Sequence, residues 1–202
     1  MTSRNKRGVE RADDQTLEAL LDKQAIQENL MRYCRAVDRM DLDLMKSTYW
    51  ADGTDDHGRF VGNAHDWCNE AVRARDKLIS CNHHISNVYT ELDGAFARRE
   101  SMFMVVTTYK QHGDAMFLGG RYRDFCEKRD GSWKVLHRVC VWDWNREIKA
   151  DAGWHLMSAP ELSNWGQFFP NDPIHQNWQS SPRTNAAASG RLDISGTGSD
   201  AP

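Results

Sequence analysis

The sequence predicts an α+β fold, with helices first and a meander of long antiparallel strands after them. Three observations predict it. Apolar residues recur at helical spacing from Leu17 to Val37 and, in shorter runs, up to Ile79. After Ser80 the helical period gives way to long strand-like runs. Those runs are punctuated by Asp93-Gly94, His112-Gly113-Asp114 and Asp130-Gly131, and an Asp-Gly pair is a strong hairpin signal.

Residues 1–13 are charged and aperiodic, which predicts disorder. Asp14-Gln15-Thr16 supplies a helix cap, and Leu17, Leu20, Leu21, Ile26, Leu30, Tyr33, Cys34 and Val37 follow on a helix, with a break near Asp22 allowed. Residues 41–50 read as a short second helix with Leu42, Met45 and Tyr49 on one face. Asp52-Gly53 turns the chain, and residues 54–57 read as a short strand ending before Gly58. Asn63 caps a third helix that holds Trp67, Ala71, Val72, Ala74, Leu78 and Ile79. Four strands are expected over residues 81–92, 96–110, 115–128 and 132–148. Strands this long coil, and helices packed on the concave side leave a cone with an internal cavity.

Beyond Lys149 the periodicity fades. Residues 150–179 carry Trp154, Trp165, Phe168, Phe169 and Trp178 among Pro160, Pro170 and Pro173. So aromatic a stretch is expected to pack across the cone mouth or onto a neighbouring subunit. The expected plan is a disordered start (1–13), one cone domain (14–149), an aromatic extension (150–179) and a disordered tail (180–202).

Composition narrows the function. The 202 residues hold 26 basic and 29 acidic side chains, a net charge of −3. That balance argues against a nucleic-acid-binding or membrane-surface protein, which needs a basic face. The five cysteines (34, 68, 81, 126 and 140) are odd in number and form no C-x-x-C pair, the usage of reduced thiols in a cytoplasmic protein. The basic start at Arg4, Lys6 and Arg7 is followed by no apolar run, so no secretory signal is expected, and no stretch is apolar enough to span a bilayer.

Three polar residues stand out for chemistry. Asp38 closes the first helix, His83 opens the first long strand, and Arg138 lies in the last. A histidine oriented by a carboxylate is a general base, and an arginine beside it holds an anion. Each residue has a plainer reading too. Asp38 stands three residues after Arg35, an ordinary ion-pair spacing. His83 competes with His84, which strand alternation sends to the other face. Two adjacent strand histidines share one ion poorly and spacing supplies no third ligand, so no metal is expected. Arg138 has Leu136, Cys140 and Trp142 as same-face neighbours, so it must meet a ligand or an internal carboxylate such as Asp124 or Asp143. His57, Trp67, Leu78, Cys81, Phe103 and Trp142 are candidate walls of the cavity, and for all but His57 ordinary core is the plainer reading.

The run Leu21-Asp-Lys-Gln-Ala-Ile-Gln-Glu-Asn-Leu-Met-Arg-Tyr33, then Asp38 and Asp41, Trp50-Ala-Asp-Gly53, His83-x3-Asn87 and Glu127-Lys-Arg-Asp-Gly-Ser-Trp133-Lys134 carry a resemblance over residues 15–148. Together they resemble the SnoaL-like branch of the nuclear-transport-factor-2-like superfamily. The resemblance implies a SnoaL-like α+β barrel. It runs closest to the cofactor-free lyases: hexachlorocyclohexane dehydrochlorinase, scytalone dehydratase and bile-acid 7α-dehydratase. It implies that Asp38 orients His83, that His83 takes a proton, and that Arg138 steadies developing negative charge. Where the dehydrochlorinase has lysine this chain has Tyr33, a departure that favours an oxygen leaving group over a halide. Tyr33 and Asp38 are about 140° apart around an ideal helix, so they share a cavity only if it is wide there or the helix ends early. The His-x3-Asn match also places Asn87 in the substrate-binding wall. The superfamily's lyases that release formaldehyde from lignin-derived diaryl compounds suit this chain's aromatic richness. The implied activity is a cofactor-independent lyase on a hydrophobic, aromatic small molecule, losing water or formaldehyde. The alternatives are a non-catalytic small subunit of a ring-hydroxylating dioxygenase, a ligand carrier, or a polyketide cyclase or isomerase. A homo-oligomer, with a trimer favoured, is implied by the same resemblance.

Overall fold

The computed structural model describes residues 16–111, 113–149 and 165–174. The expectations for residues 1–13 and 180–202, and those for Trp154 and Trp178, lie outside the described residues. Helix α1 (Leu17–Arg39) starts where the Thr16 hydroxyl accepts from the Ala19 N–H at 3.1 Å. It runs through Asp22 unbroken and stops where Met40 turns left-handed at φ 55°. Ile26, Leu30, Tyr33, Cys34 and Val37 are buried, while Leu17, Leu20 and Leu21 stay exposed on the first turns. Helix α2 (Leu42–Ser47) is capped by Asp41, and α3 (Ala64–Arg73) by Asn63.

The strands are β1 (Tyr49–Asp56), β2 (Val61–Asn63), β3 (Leu78–Asp93), β4 (Phe96–Tyr109), β5 (Ala115–Arg129) and β6 (Ser132–Ile148). Two boundaries differ from the sequence reading. Tyr49 and Trp50 leave the second helix for β1, because Val135 N–H takes the Thr48 carbonyl and draws the chain onto the sheet. Leu78 and Ile79 belong to β3, after a short 3₁₀ turn (Ala74–Lys77) ends the third helix. Gly53 does not turn the chain. It sits in an irregularity of β1 where a Cβ would come within 2.8 Å of the Trp50 carbonyl.

One curved, unclosed sheet results, in the order β2-β1-β6-β5-β4-β3. It is not wholly antiparallel, since β1 pairs with β6 in parallel. The chain leaves β1, passes through β2, α3 and strands β3 to β5, and returns beside it in β6, the long crossover a parallel pair needs. The sharpest close approach lies at Gly120, where a Cβ would stand 2.1 Å from the Val141 carbonyl and 2.7 Å from the Phe103 ring. Only glycine fits there, and the β5–β6 register shifts at the same point. The helices cover the concave side, so the architecture is the α+β cone the sequence predicts.

The concave side buries charge as well as apolar surface. Asp124 on β5 takes the Arg138 guanidinium of β6 at 2.7 and 2.9 Å, and Arg99 of β4 through its Nε at 3.0 Å. Arg99 also donates to the Ile26 carbonyl of α1. All three side chains are fully buried. Burial alone would push the Asp124 carboxyl up, but Arg138 and Arg99 hold it down at about 2. Asp124→Asn leaves two buried cations unpaired and should lower the unfolding free energy by about 3–5 kcal/mol in a urea titration.

Candidate active site

Asp38 occupies the last turn of α1, over the start of β3. Its Oδ1 lies 2.5 Å from His83 Nδ1, and its two oxygens accept the His83 backbone N–H at 2.9 and 3.1 Å. Strand alternation turns His83 toward the chamber and leaves His84 exposed. Burial by itself would lower the His83 pKa, but the Asp38 hydrogen bond and Cys81 raise it to about 9.

His83 lines an inner chamber of about 190 Å³ together with Tyr33, His57, Trp67, Leu78, Cys81, Phe103, Tyr122 and Trp142. A wider vestibule of about 570 Å³ adjoins it and shares His57, Trp67, Leu118 and Trp142 with it. Met116, Tyr109 and Trp144 form other parts of the vestibule wall. Tyr33 and Asp38 share this region despite their angular separation, because they serve it from different depths. The Tyr33 ring is buried under the sheet and its hydroxyl accepts from Trp67 Nε1 at 3.2 Å, while Asp38 reaches His83 from behind. Burial raises the Tyr33 phenol well above its usual range against the pull of Arg138, so it stays a neutral donor.

Two site expectations need correction. Arg138 does not line the chamber. It is wholly buried, committed to Asp124, and its guanidinium lies 4.2 Å from the Tyr33 ring and 4.1 Å from the Tyr122 ring. The phenol rings that face the chamber thus cover it, and among the described residues its Nη1 has no hydrogen-bond partner. Asn87 is also outside the chamber. A bulge in β3 between Ser86 and Tyr89 puts it at φ 48° and exposed, with its amide on Met102 Sδ. The bulge breaks the alternation that would have aimed it inward with His83.

One functional candidate escaped the sequence reading. Asp55 is 1% exposed and bonds His57 Nδ1 through Oδ1, while its Oδ2 accepts the Tyr49 hydroxyl at 2.7 Å. His57 then stacks on Trp67 at 3.8 Å with 16° between the rings. The available signal was the i, i+2 spacing of Asp55 and His57 on one strand, which faces both side chains the same way. Burial lowers the His57 pKa, with Asp55 opposing and Arg138 and His83 assisting.

Asp38, Cys81 and His83 also offer three ligand atoms within 4.8 Å of one another. The Asp38–His83 separation of 2.5 Å suits a shared proton, whereas a tetrahedral zinc would hold those two atoms about 3.3 Å apart.

The segment of residues 165–174 packs beside this dyad. Phe169 N–H donates to the Arg39 carbonyl at 2.7 Å, and Asp172 meets the Arg39 guanidinium at 3.2 Å. The aromatic extension therefore lies, in its described part, against the end of α1 of its own chain.

A curved α+β cone with carboxylate–imidazole pairs at an inner chamber defines the class of protein. The SnoaL-like domain model matches residues 18–139, and the chain belongs to that family, within the nuclear-transport-factor-2-like superfamily. No protein of curated function matches the sequence. Among solved structures, a candidate scytalone dehydratase from Novosphingobium aromaticivorans is similar at 19% identity and TM-score 0.60, over 66% of this chain and 92% of that one. A type 2 hexachlorocyclohexane dehydrochlorinase (LinA) is similar at 15% identity and TM-score 0.62, over 72% and 98%. The type 3 enzyme from Novosphingobium barchaimii is similar at 20% identity and TM-score 0.59, over 71% and 99%. Among the described residues no helix is long and apolar enough to cross a membrane.

The raised His83 pKa sets a sign for stability. A histidine whose folded pKa lies near 9 against 6.5 unfolded contributes stability that is whole below pH 6.5 and lost as pH rises through 9. Urea unfolding of wild type and Asp38→Asn should therefore differ most below pH 6.5 and converge above pH 9.

Proposed function

We propose that the protein is a cofactor-independent lyase that eliminates water or formaldehyde from a hydrophobic, aromatic substrate by acid–base chemistry. The observation that carries this reading is the Asp38–His83 pair at 2.5 Å in the wall of an aromatic chamber. Elimination needs a proton moved at one atom and a leaving oxygen assisted at another, and side chains alone supply both. Asp38 orients the His83 ring, and His83 Nε2 exchanges a proton with the substrate. The neutral Tyr33 hydroxyl donates to the departing or phenolic oxygen. Arg138 acts through the Tyr33 and Tyr122 rings, placing fixed positive charge under the phenols in a dry site.

Size supports a substrate with more than one ring. The inner chamber suits a single ring, and the vestibule beyond His57 and Trp142 suits a second. Two of the similar folds bear names of eliminating enzymes, a dehydrochlorinase and a candidate dehydratase. A non-catalytic subunit or carrier has no use for an inward-facing, carboxylate-bound imidazole.

The test is turnover of a 1,2-diaryl-propane-1,3-diol and of simpler aromatic alcohols, followed by a new conjugated absorbance and a formaldehyde assay. Wild type should act on at least one of them, and His83→Ala should lose about 10²–10⁴-fold in kcat/KM. Full turnover by His83→Ala would sink the reading. Tyr33→Phe should lower kcat by about 10-fold or more while leaving KM nearly unchanged, because the lost hydroxyl serves the departing group rather than ground-state binding.

A further inference from the structure

The Asp55–His57 pair is not used by the reading above. Its geometry matches that of Asp38–His83 in three respects. The ring is anchored through Nδ1 on a carboxylate, it lines the same chamber, and among the described residues its Nε2 has no hydrogen-bond partner. An anchored imidazole with a bare second nitrogen facing a cavity is built to exchange a proton with whatever fills it.

We propose that His57 is a second catalytic residue, the base that takes the substrate proton, and that His83 is the acid that protonates the leaving oxygen. This rests on the lyase reading of the same site and inverts the role the resemblance implies for His83.

The environments push the two rings apart. Asp38 is devoted to His83, gripping both its ring and its backbone N–H. Asp55 divides its charge between His57 and the Tyr49 hydroxyl. His57 is buried away from water, where a positive charge is poorly solvated. It also feels two cations, Arg138 and His83. Two like charges around one small chamber are unfavourable, so one ring carries the proton and the other stays neutral. His83, raised to about 9, is the cation, and His57, lowered by burial, is neutral. Asp55 fixes its tautomer with Nδ1 protonated, which leaves the Nε2 lone pair for the substrate.

The steps balance. In a dehydration the C–H bond breaks, its proton goes to His57 Nε2 and its electron pair forms the C=C bond. The C–O bond breaks, and the oxygen takes the proton of His83 Nε2 and leaves as water. The proton on His57 then passes through solvent to His83 and restores the starting state. In a deformylation His57 takes the hydroxyl proton instead. The C–C bond breaks to give formaldehyde, and the released pair forms the alkene as the neighbouring hydroxyl departs with the proton of His83.

The ionisable groups around His57 are Asp55 and Tyr49 of β1, Tyr33 of α1, Cys68 of α3, His83 of β3, Tyr122 of β5, and Arg138 and Cys140 of β6, with Arg59, Tyr109 of β4 and Asp143 of β6 sharing the vestibule with it. Around His83 they are Asp38 of α1, Cys81 of its own strand, and His57. Burial lifts the Tyr33, Tyr49 and Tyr122 phenols and the Cys68 and Cys140 thiols above their usual ranges. The two imidazoles therefore titrate before them as pH rises.

The decisive measurement needs no substrate. Long-range proton–nitrogen spectra of the intact, histidine-labelled protein, with the eight rings assigned by His57→Phe and His83→Gln, report each ring's state. At neutral pH His57 should show a protonated Nδ1 and a bare Nε2, and His83 should show both nitrogens protonated up to about pH 9. A doubly protonated His57, an Nε2-protonated His57 tautomer, or a neutral His83 at that pH would overturn the assignment. The His57→Phe variant keeps the stack on Trp67, so its fold is checked by its melting temperature.

With a diaryl diol as probe, wild-type kcat/KM should rise as His57 deprotonates below pH 6.5 and fall as His83 deprotonates near 9. His57→Gln should lose about 10²–10⁴-fold together with the acid limb of that profile. A wild-type profile that keeps climbing beyond pH 9 would make His83 the base and reject the inversion. Failure of wild type to turn over any aromatic alcohol rejects the lyase reading, and the spectra then decide the assignment of ring states by themselves.

Discussion

Three buried charges tie the cone together. Asp124 lies between Arg99 and Arg138, so adjacent strands β4, β5 and β6 are joined across the concave face of the sheet. Arg99 extends the grip to the Ile26 carbonyl and draws α1 onto that face. The set carries a net positive charge in a place without water, which is costly unless something answers it. The answer is aromatic. Tyr33, Tyr49 and Tyr122 turn their ring faces to the Arg138 guanidinium. A cation held under phenols explains why so much tyrosine collects at the bottom of the chamber.

That arrangement sets the position of everything above it. With Tyr33 held by Arg138, the helix is rotated so that its last turn brings Asp38 over the first residues of β3. With Tyr49 held likewise, its hydroxyl meets Asp55, and Asp55 meets His57. The two imidazoles thus stand on opposite arms of one scaffold. Arg138 is best understood as the foundation of the site, felt through the rings that cover it.

Much of the fold was legible because it is written in short-range spacing. The Asp-Gly pairs at 93–94 and 130–131 turn hairpins, and the long strands on either side of them formed as expected, whereas Asp52-Gly53 is carried straight through β1 by its pairing with β6. The boundaries that moved did so for tertiary reasons. Tyr49 joined a strand because the sheet edge offered β1 a partner in β6, and Leu78 did so because β4 offered one to β3. Pairing with a distant strand overrides the local preference of a residue at a boundary.

For the site, residue type and local context left Asp38 open to a surface ion pair and His83 level with His84, and it was the family resemblance that singled out both, while the Asp55-x-His57 spacing was there to be read as well. What lay outside the chain's local pattern was direction. Arg138 has an apolar same-face row in sequence, yet only the packed sheet decides that Asp124 fills its hydrogen bonds and two tyrosines stand between it and the chamber. Asn87 shares parity with His83, yet a single extra residue in the strand turns it to solvent. By itself the sequence determined the order of the elements and which side chains could move a proton, because periodicity and ionisation belong to a residue and its near neighbours. Which of those side chains face one another was decided by the tertiary structure, since bulges, sheet curvature and buried charge are settled only when distant strands meet.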